Sequence, residues 1–160
     1  MKAPRLIMMI GIPGCGKGTW LKKQILSNKP LNHIVTVSPD RIRQEKYADI
    51  SCQANNVEVW AIAKSRTVDF LSNGTSVILD ATNVNTTYRR QFINNLPPCI
   101  LQAKVIKEDP EKCWERIQQD LNKAVDRADV PKEVIYRMYV EFLYTLQVLE
   151  SEGFHLIEEL

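Results

Sequence analysis

The sequence predicts an α/β protein with a three-layer build: a central parallel sheet of four to five strands and helices on both faces. Three observations predict it. Short apolar runs of strand length alternate with longer amphipathic stretches along the whole chain. Gly, Pro and Asn punctuate the junctions. The 160 residues, 44% hydrophobic and 25% charged, suit one domain with one proper core. We expect a single domain over 1–160, with no repeat, linker or low-complexity tract.

The elements follow in order. "RLIMMIG" (5–11) is an apolar run of strand length that enters a Gly-rich turn, and a helix is predicted over 17–27. "HIVTVS" (33–38) alternates and is β-branched, which predicts the second strand, and "RIRQ" just beyond it reads as a short helix. Residues 55–72 place Val59, Ile62, Ala63 and Phe70 at helical spacing, and Gly74 in "NGT" stops that helix. "SVILD" (76–80) is the third strand. Asn85 caps a helix over 85–95. "ILQAKVIK" (100–107) is the fourth strand, after Pro97 and Pro98, and Pro110 opens a helix over 110–124. Residues 131–150 form a long helix with Val134, Met138, Phe142 and Leu146 on one face, read as core. "FHLIE" (154–158) is a fifth strand. Trp20, Trp60 and Trp114 lie at apolar-face spacing and read as core packing ahead of base stacking. The irregular piece, "NKAVDRADV" (122–130), is either a lid, within about 116–130, or a plain surface loop.

Composition excludes some classes. No apolar run reaches the roughly 18 residues of a membrane helix, and "RLIMMIGI" is too short for a signal-peptide core. Cys15, Cys52, Cys99 and Cys113 share no zinc-like or CxxC spacing, so a reducing cytoplasm is the expected setting (a host's, if the chain is phage-encoded). Net charge is +2, but residues 1–47 hold nine Lys/Arg against two Asp/Glu, while residues 108–160 hold six against thirteen. Positive charge is concentrated around the Gly-rich turn, which suits a polyanionic ligand.

That turn, "GIPGCGKGTW" (11–20), carries the chemistry. A Gly-rich turn between strand and helix aims successive backbone N–H groups at one point, where phosphate binds beside the positive helix end. Gly11, Pro13, Gly14, Cys15, Gly16, Lys17, Gly18 and Thr19 are the expected nucleotide contacts, with Lys17 a point charge for the β- and γ-phosphates. Cys15 reads as a small filler of space before it reads as a reactive thiol. In the common form the residue after Lys ligates Mg²⁺. Here Gly18 stands there and the hydroxyl follows at Thr19, which resembles the adenylate-kinase version of the loop. Thr19 then faces a phosphate oxygen or the metal itself.

Other phosphate-loop classes lack their markers. "NKPL" (28–31) and "NKAV" (122–125) miss the Asp of a guanine reader, and "LSNG" (71–74) fails as a transport-ATPase signature. Small kinases remain. These need a base at the acceptor, a carboxylate for the metal and extra positive charge. In "SPDRIR" (38–43), Asp40 is the candidate base and Arg43 a candidate phosphate contact, with a helix cap as the alternative for Asp40. In "VILDATN" (77–83), Asp80 ends a strand where a carboxylate holds Mg²⁺ through water, with a turn-starting Asp as the alternative. Tyr88, Arg89 and Arg90 follow, and at least one of these arginines is expected on the surface.

"GIPGCGKGTW", "SPDRIRQ", "DATNVN…RR" and "VPKEVIYRMY", in this order and at these intervals, resemble the kinase domain of phage-type polynucleotide kinase over nearly the whole chain. The resemblance implies transfer of the γ-phosphate of ATP, with GTP as the other donor, to a 5′-hydroxyl of DNA or RNA, with Mg²⁺. It implies Asp40 as general base, Arg43 on the acceptor's 3′-phosphate, Asn83 among the acceptor contacts, and Lys17 on the transferring phosphate. The family's lid carries two arginines four residues apart. Here Arg116 is followed at that spacing by Asp120, leaving Arg127 or Lys123 to substitute. The serine usual after the lysine is Gly18, and no phosphatase motif Asp-x-Asp-x-Thr is present. The alternatives are a kinase of another hydroxyl (a nucleoside, a small alcohol or a hydroxymethylated base in DNA) and a nucleotide-binding regulator without an acceptor.

Overall fold

The computed structural model describes residues 2–27, 34–50, 52 and 54–157. Of the predicted positions, His33 of the second strand, Glu158 of the fifth, and Asn28–Leu31 lie outside these residues. The elements are β1 (Arg5–Ile10), α1 (Lys17–Leu26), β2 (Ile34–Val37), α2 (Pro39–Tyr47), α3 (Asn56–Ser72), β3 (Ser76–Leu79), α4 (Thr86–Ile93), β4 (Ile100–Val105), α5 (Pro110–Asn122), α6 (Lys132–Val148) and β5 (His155–Leu156). The five strands form one sheet in the order β2-β3-β1-β4-β5. Every pairing is parallel, with Leu6 opposite Val77 and Leu101, and Val37 opposite Leu79.

Strand alternation divides the core between the two faces. Leu6, Met8 and Ile10 face the larger core with Val77 and Leu79, under Ile42, Val59, Ala63, Phe92, Ile117, Ile135 and Phe142 of the helices. Ile7, Met9 and Ile78 face a smaller core closed by Leu21 and Trp20 of α1 and by Ile157. Both faces of β1 are therefore buried, which is why its sequence is a continuous apolar run.

Local signals set most boundaries. Asn85 Oδ1 accepts from Tyr88 N–H at 3.0 Å and starts α4. Asp109 Oδ1 accepts from the N–H groups of Glu111 and Lys112, with Pro110 in the first turn of α5. Gly74 adopts φ +76° and ends α3. Two expectations change. The piece after β2 is a nine-residue helix, α2, because Ser38 caps it and Pro39 sits in its first turn. In α6 the buried line is Ile135, Phe142, Thr145 and Leu149, while Leu146 is exposed. The face is turned because Thr145 is drawn inward: its hydroxyl donates to Val84 C=O at 2.6 Å and accepts from Arg89 at 3.1 Å. The tryptophans pack at the edges of the two cores: Trp60 meets Phe92 edge-on, and Lys132 lies 4.7 Å over the Trp114 ring.

Candidate active site

The site is built from three neighbouring strand ends. β2, β3 and β1 lie side by side and parallel, so the segments after Val37, Leu79 and Ile10 emerge along one edge. In open α/β sheets this is the edge where ligands bind. Those segments carry Asp40, Asp80 and the Gly-rich turn.

The turn is held at both ends. Gly11 N–H donates to Thr82 C=O at 3.0 Å, which ties the turn to the segment after β3. A Cβ on Gly11 would stand 2.5 Å from Cys15 Sγ and 2.8 Å from Ile106 O. Gly14 has φ +81°, and a Cβ there would meet the Cys113 carbonyl oxygen at 2.5 Å. Helix α5 thus packs directly on the turn, and only glycine fits. Gly16 turns the chain into α1 with φ +107°. Gly18 differs: it lies in the first turn of α1 with nothing within 4 Å of a Cβ. Pro13 is half-buried and Thr19 exposed beside it. Cys15 fills space inside the turn, 5% exposed, and the Cys113 thiol behind it is pushed up to about 11 by burial.

Lys17 is folded over this turn. Its Nζ donates to Gly11 C=O at 2.7 Å and Ile12 C=O at 2.8 Å, and lies 3.6 Å from Cys15 Sγ. Burial pushes the amine below its ordinary range, while Cys15 and Asp80 nearby oppose the shift. Asp80 N–H continues the ladder to Val37 C=O at 2.9 Å. Burial also pushes the Asp80 carboxyl above the usual range; Lys17 and Arg41 pull it down and Asp40 pushes it further up. Asp80 therefore feels both Lys17 and Asp40. The chemistry of the group suits a nucleotide and a divalent cation: glycines without Cβ where phosphate must come close, a lysine beside them, and a largely buried carboxyl whose charge a cation would offset.

Asp40 is not the helix cap. Ser38 takes that role, accepting from Arg41 N–H at 3.4 Å. The Asp40 side chain is 70% exposed and meets Arg43 Nη1 at 2.5 Å. Arg43 itself is buried and reaches Asn56 Oδ1 with Nη2 at 2.7 Å. Asn83 has φ +51°, and its Nδ2 donates to Met9 C=O at 2.8 Å and to Ala81 C=O at 3.3 Å, binding the Asp80 segment to β1. Below that segment lies an ion pair that sequence reasoning did not single out. Arg89, 2% exposed, joins Glu152 at 2.7 Å and donates to Asn83 C=O at 2.8 Å. Arg90 is the surface arginine and also reaches Glu152. The adjacent arginines of "YRR" were the only signal, and Glu152 lies too far along the chain for spacing to reveal it.

The α5 side brings further cations. Arg116 donates to Gly14 C=O at 3.3 Å and pairs with Glu108 at 2.7 Å. Arg127, in the irregular segment between α5 and α6, pairs with Asp120. Asp120, four residues after Arg116, is thus the anchor of an arginine from the next segment.

A parallel sheet with a phosphate loop after its central strand, and one carboxylate after each of the next two strands, defines the P-loop kinase-like class of nucleotide-binding folds. The chain belongs to the AAA domain family, whose profile matches residues 6–142. No curated protein matches the sequence. Solved structures show the same fold. One is a chain of the Pnkp1/Rnl/Hen1 RNA repair complex, at TM-score 0.74 and 20% identity, covering 92% of this chain and 46% of that one. Another Pnkp1/Rnl/Hen1 structure matches at TM-score 0.63 and 23% identity, over 72% of this chain and 40% of that one. A presumed kinase of Chloroflexus aurantiacus j-10-fl matches at TM-score 0.68 and 16% identity, over 84% of this chain and 78% of that one. The chain spans less than half the length of the two repair-complex chains. No helix among the described residues is long and apolar enough to cross a membrane.

Proposed function

We propose that the chain transfers the γ-phosphate of ATP to the 5′-hydroxyl of a DNA or RNA strand. The observation that supports the reading is the setting of Asp40: an exposed carboxylate, relieved of capping by Ser38, within electrostatic reach of Asp80 and backed by a buried arginine. The turn at Gly11–Gly16 cradles the phosphates with its N–H groups, and Lys17 leaves the loop carbonyls to meet the transferring group. Mg²⁺ would be held by Asp80, with Thr19, and would neutralise charge on the phosphates. Asp40 accepts the proton of the attacking hydroxyl, and Arg43 orients the acceptor through the phosphate 3′ of it. Arg116, already on Gly14, and Arg127, anchored on Asp120, supply the positive charge that the transition state needs as 123–131 closes. The fold shared with a chain of an RNA repair complex supports a nucleic acid acceptor.

The test is γ-phosphate transfer from labelled ATP with Mg²⁺ to a 5′-hydroxyl single-stranded oligonucleotide. We expect label at the 5′ end. Asp40→Asn should lower kcat about 10²- to 10⁴-fold while nucleotide binding is kept. ATP binding without transfer to any strand, or transfer only to a nucleoside or hydroxymethylated DNA, would overturn the acceptor assignment. An Asp40→Asn variant with full activity would overturn the base assignment.

A further inference from the structure

We propose that Asn56 is a positioning residue for the acceptor: its side-chain carbonyl fixes the Arg43 guanidinium beside Asp40. The inference rests on the transfer reading above. Arg43 sits one turn beyond Asp40 on α2, 6% exposed, while the Asp40 side chain stands largely in solvent. The carboxylate is thus in front, where an acceptor approaches, and the guanidinium lies behind it. A buried guanidinium is costly unless its donors are met. Nη1 is met by Asp40 at 2.5 Å and Nη2 by Asn56 at 2.7 Å, while Nε is buried with no partner among the described residues.

The choice of a neutral amide matters. A second carboxylate at residue 56 would also accept from Nη2, but with Asp40 already paired to Arg43 it would leave the cluster net negative and repel an anion. The amide supplies one acceptor and adds no negative charge. Asn56 also opens α3, a 17-residue helix whose first turn has no side-chain cap, so the positive helix end biases the same place. Because Asn56 belongs to another element, thirteen residues along, the packing of α3 on α2 decides where the guanidinium lies. That seam is fastened by Glu58, which meets Lys46 and Tyr47, and by the Arg66–Glu45 pair at 2.8 Å.

The test is steady-state transfer to a 5′-hydroxyl oligonucleotide by Asn56→Ala, in the natural and Arg43→Ala backgrounds, with KM for ATP measured alongside. We expect Asn56→Ala to raise the acceptor KM about tenfold, the scale of one hydrogen bond to a charged group, with KM for ATP unchanged. In the Arg43→Ala background the same change should add less than about twofold. Asn56→Asp keeps the shape and the acceptor, and so serves if the alanine variant is unstable; it should weaken oligonucleotides more than an uncharged nucleoside. An Asn56→Ala enzyme that matches the unsubstituted one, or loses the same factor in both backgrounds, overturns the inference alone. If the unsubstituted chain binds ATP but phosphorylates no strand, the transfer reading falls and takes the inference with it.

Discussion

Two glycines four residues apart in one loop can do unlike things, and Gly14 and Gly18 show it. Gly14 is fixed by its backbone angle and by the Cys113 carbonyl, whereas Gly18 has ordinary helical backbone and open space around it. Gly14→Ala should cost at least about 1–3 kcal/mol of stability and abolish nucleotide binding. Gly18→Ala should be neutral or gain up to about 1 kcal/mol. Urea unfolding and titration with a fluorescent nucleotide would check both; similar losses at the two positions would sink the distinction. The spacing of glycines and lysine was readable as a phosphate loop, and so was the placement of Asp40 and Asp80 after strands. The division of labour among the glycines was not, because the partner of Gly14 comes from a helix in the last third of the chain. Asn83 is a similar case: its side chain is engaged by β1, which no local pattern announces.

Among the elements, α4 and the end of α6 are joined by a charge pair out of solvent, with side-chain exposures of 0% for Arg89 and 3% for Glu152. Removing one partner leaves the other charge buried. Glu152→Gln should therefore destabilise by about 3–5 kcal/mol, and Arg89→Met with Glu152→Leu together by less than the single change. Chemical denaturation of the three variants decides it. The α2–α3 seam responds to acid instead. Lys46 and Tyr47 hold the Glu58 carboxyl below its ordinary 4.5, and Arg66 does the same for Glu45. A depressed carboxyl contributes stability above its unfolded value and loses it as pH falls through the folded one. Thermal melts should shift downward below about pH 4.5, and the loss should be reversed on return to neutral pH. A melt unchanged from pH 6 to pH 3.5 would count against the seam. At this scale the caps at Asn85 and Pro110 were legible because capping is local. The inward turn of Thr145 in α6 was not, since it answers to Arg89 and Val84 on other elements.

For the molecule as a whole, alternating strands and helices announced a parallel sheet, but not the order β2-β3-β1-β4-β5. Order depends on which strands meet across long stretches of chain, and apolar runs of similar composition do not choose between partners. The charge division, basic before residue 48 and acidic after 107, puts nine of the 21 Lys/Arg in the same part of the sequence as the phosphate loop. If a strand lies along that region with two phosphates neutralised, a fourfold rise in salt should lower oligonucleotide affinity about sevenfold. Fluorescence anisotropy at several salt concentrations would show it, and salt-independent binding would argue for an uncharged acceptor.

The strand at the centre of the sheet is also the first to be synthesised. Arg5 meets Ser76 across 71 residues of intervening chain, and β4 follows later still. Until those partners leave the ribosome, "RLIMMI" has no sheet to enter. The nascent chain must therefore carry this apolar segment unpaired while the 71 residues up to Ser76 are made, which makes the segment a natural client for a chaperone.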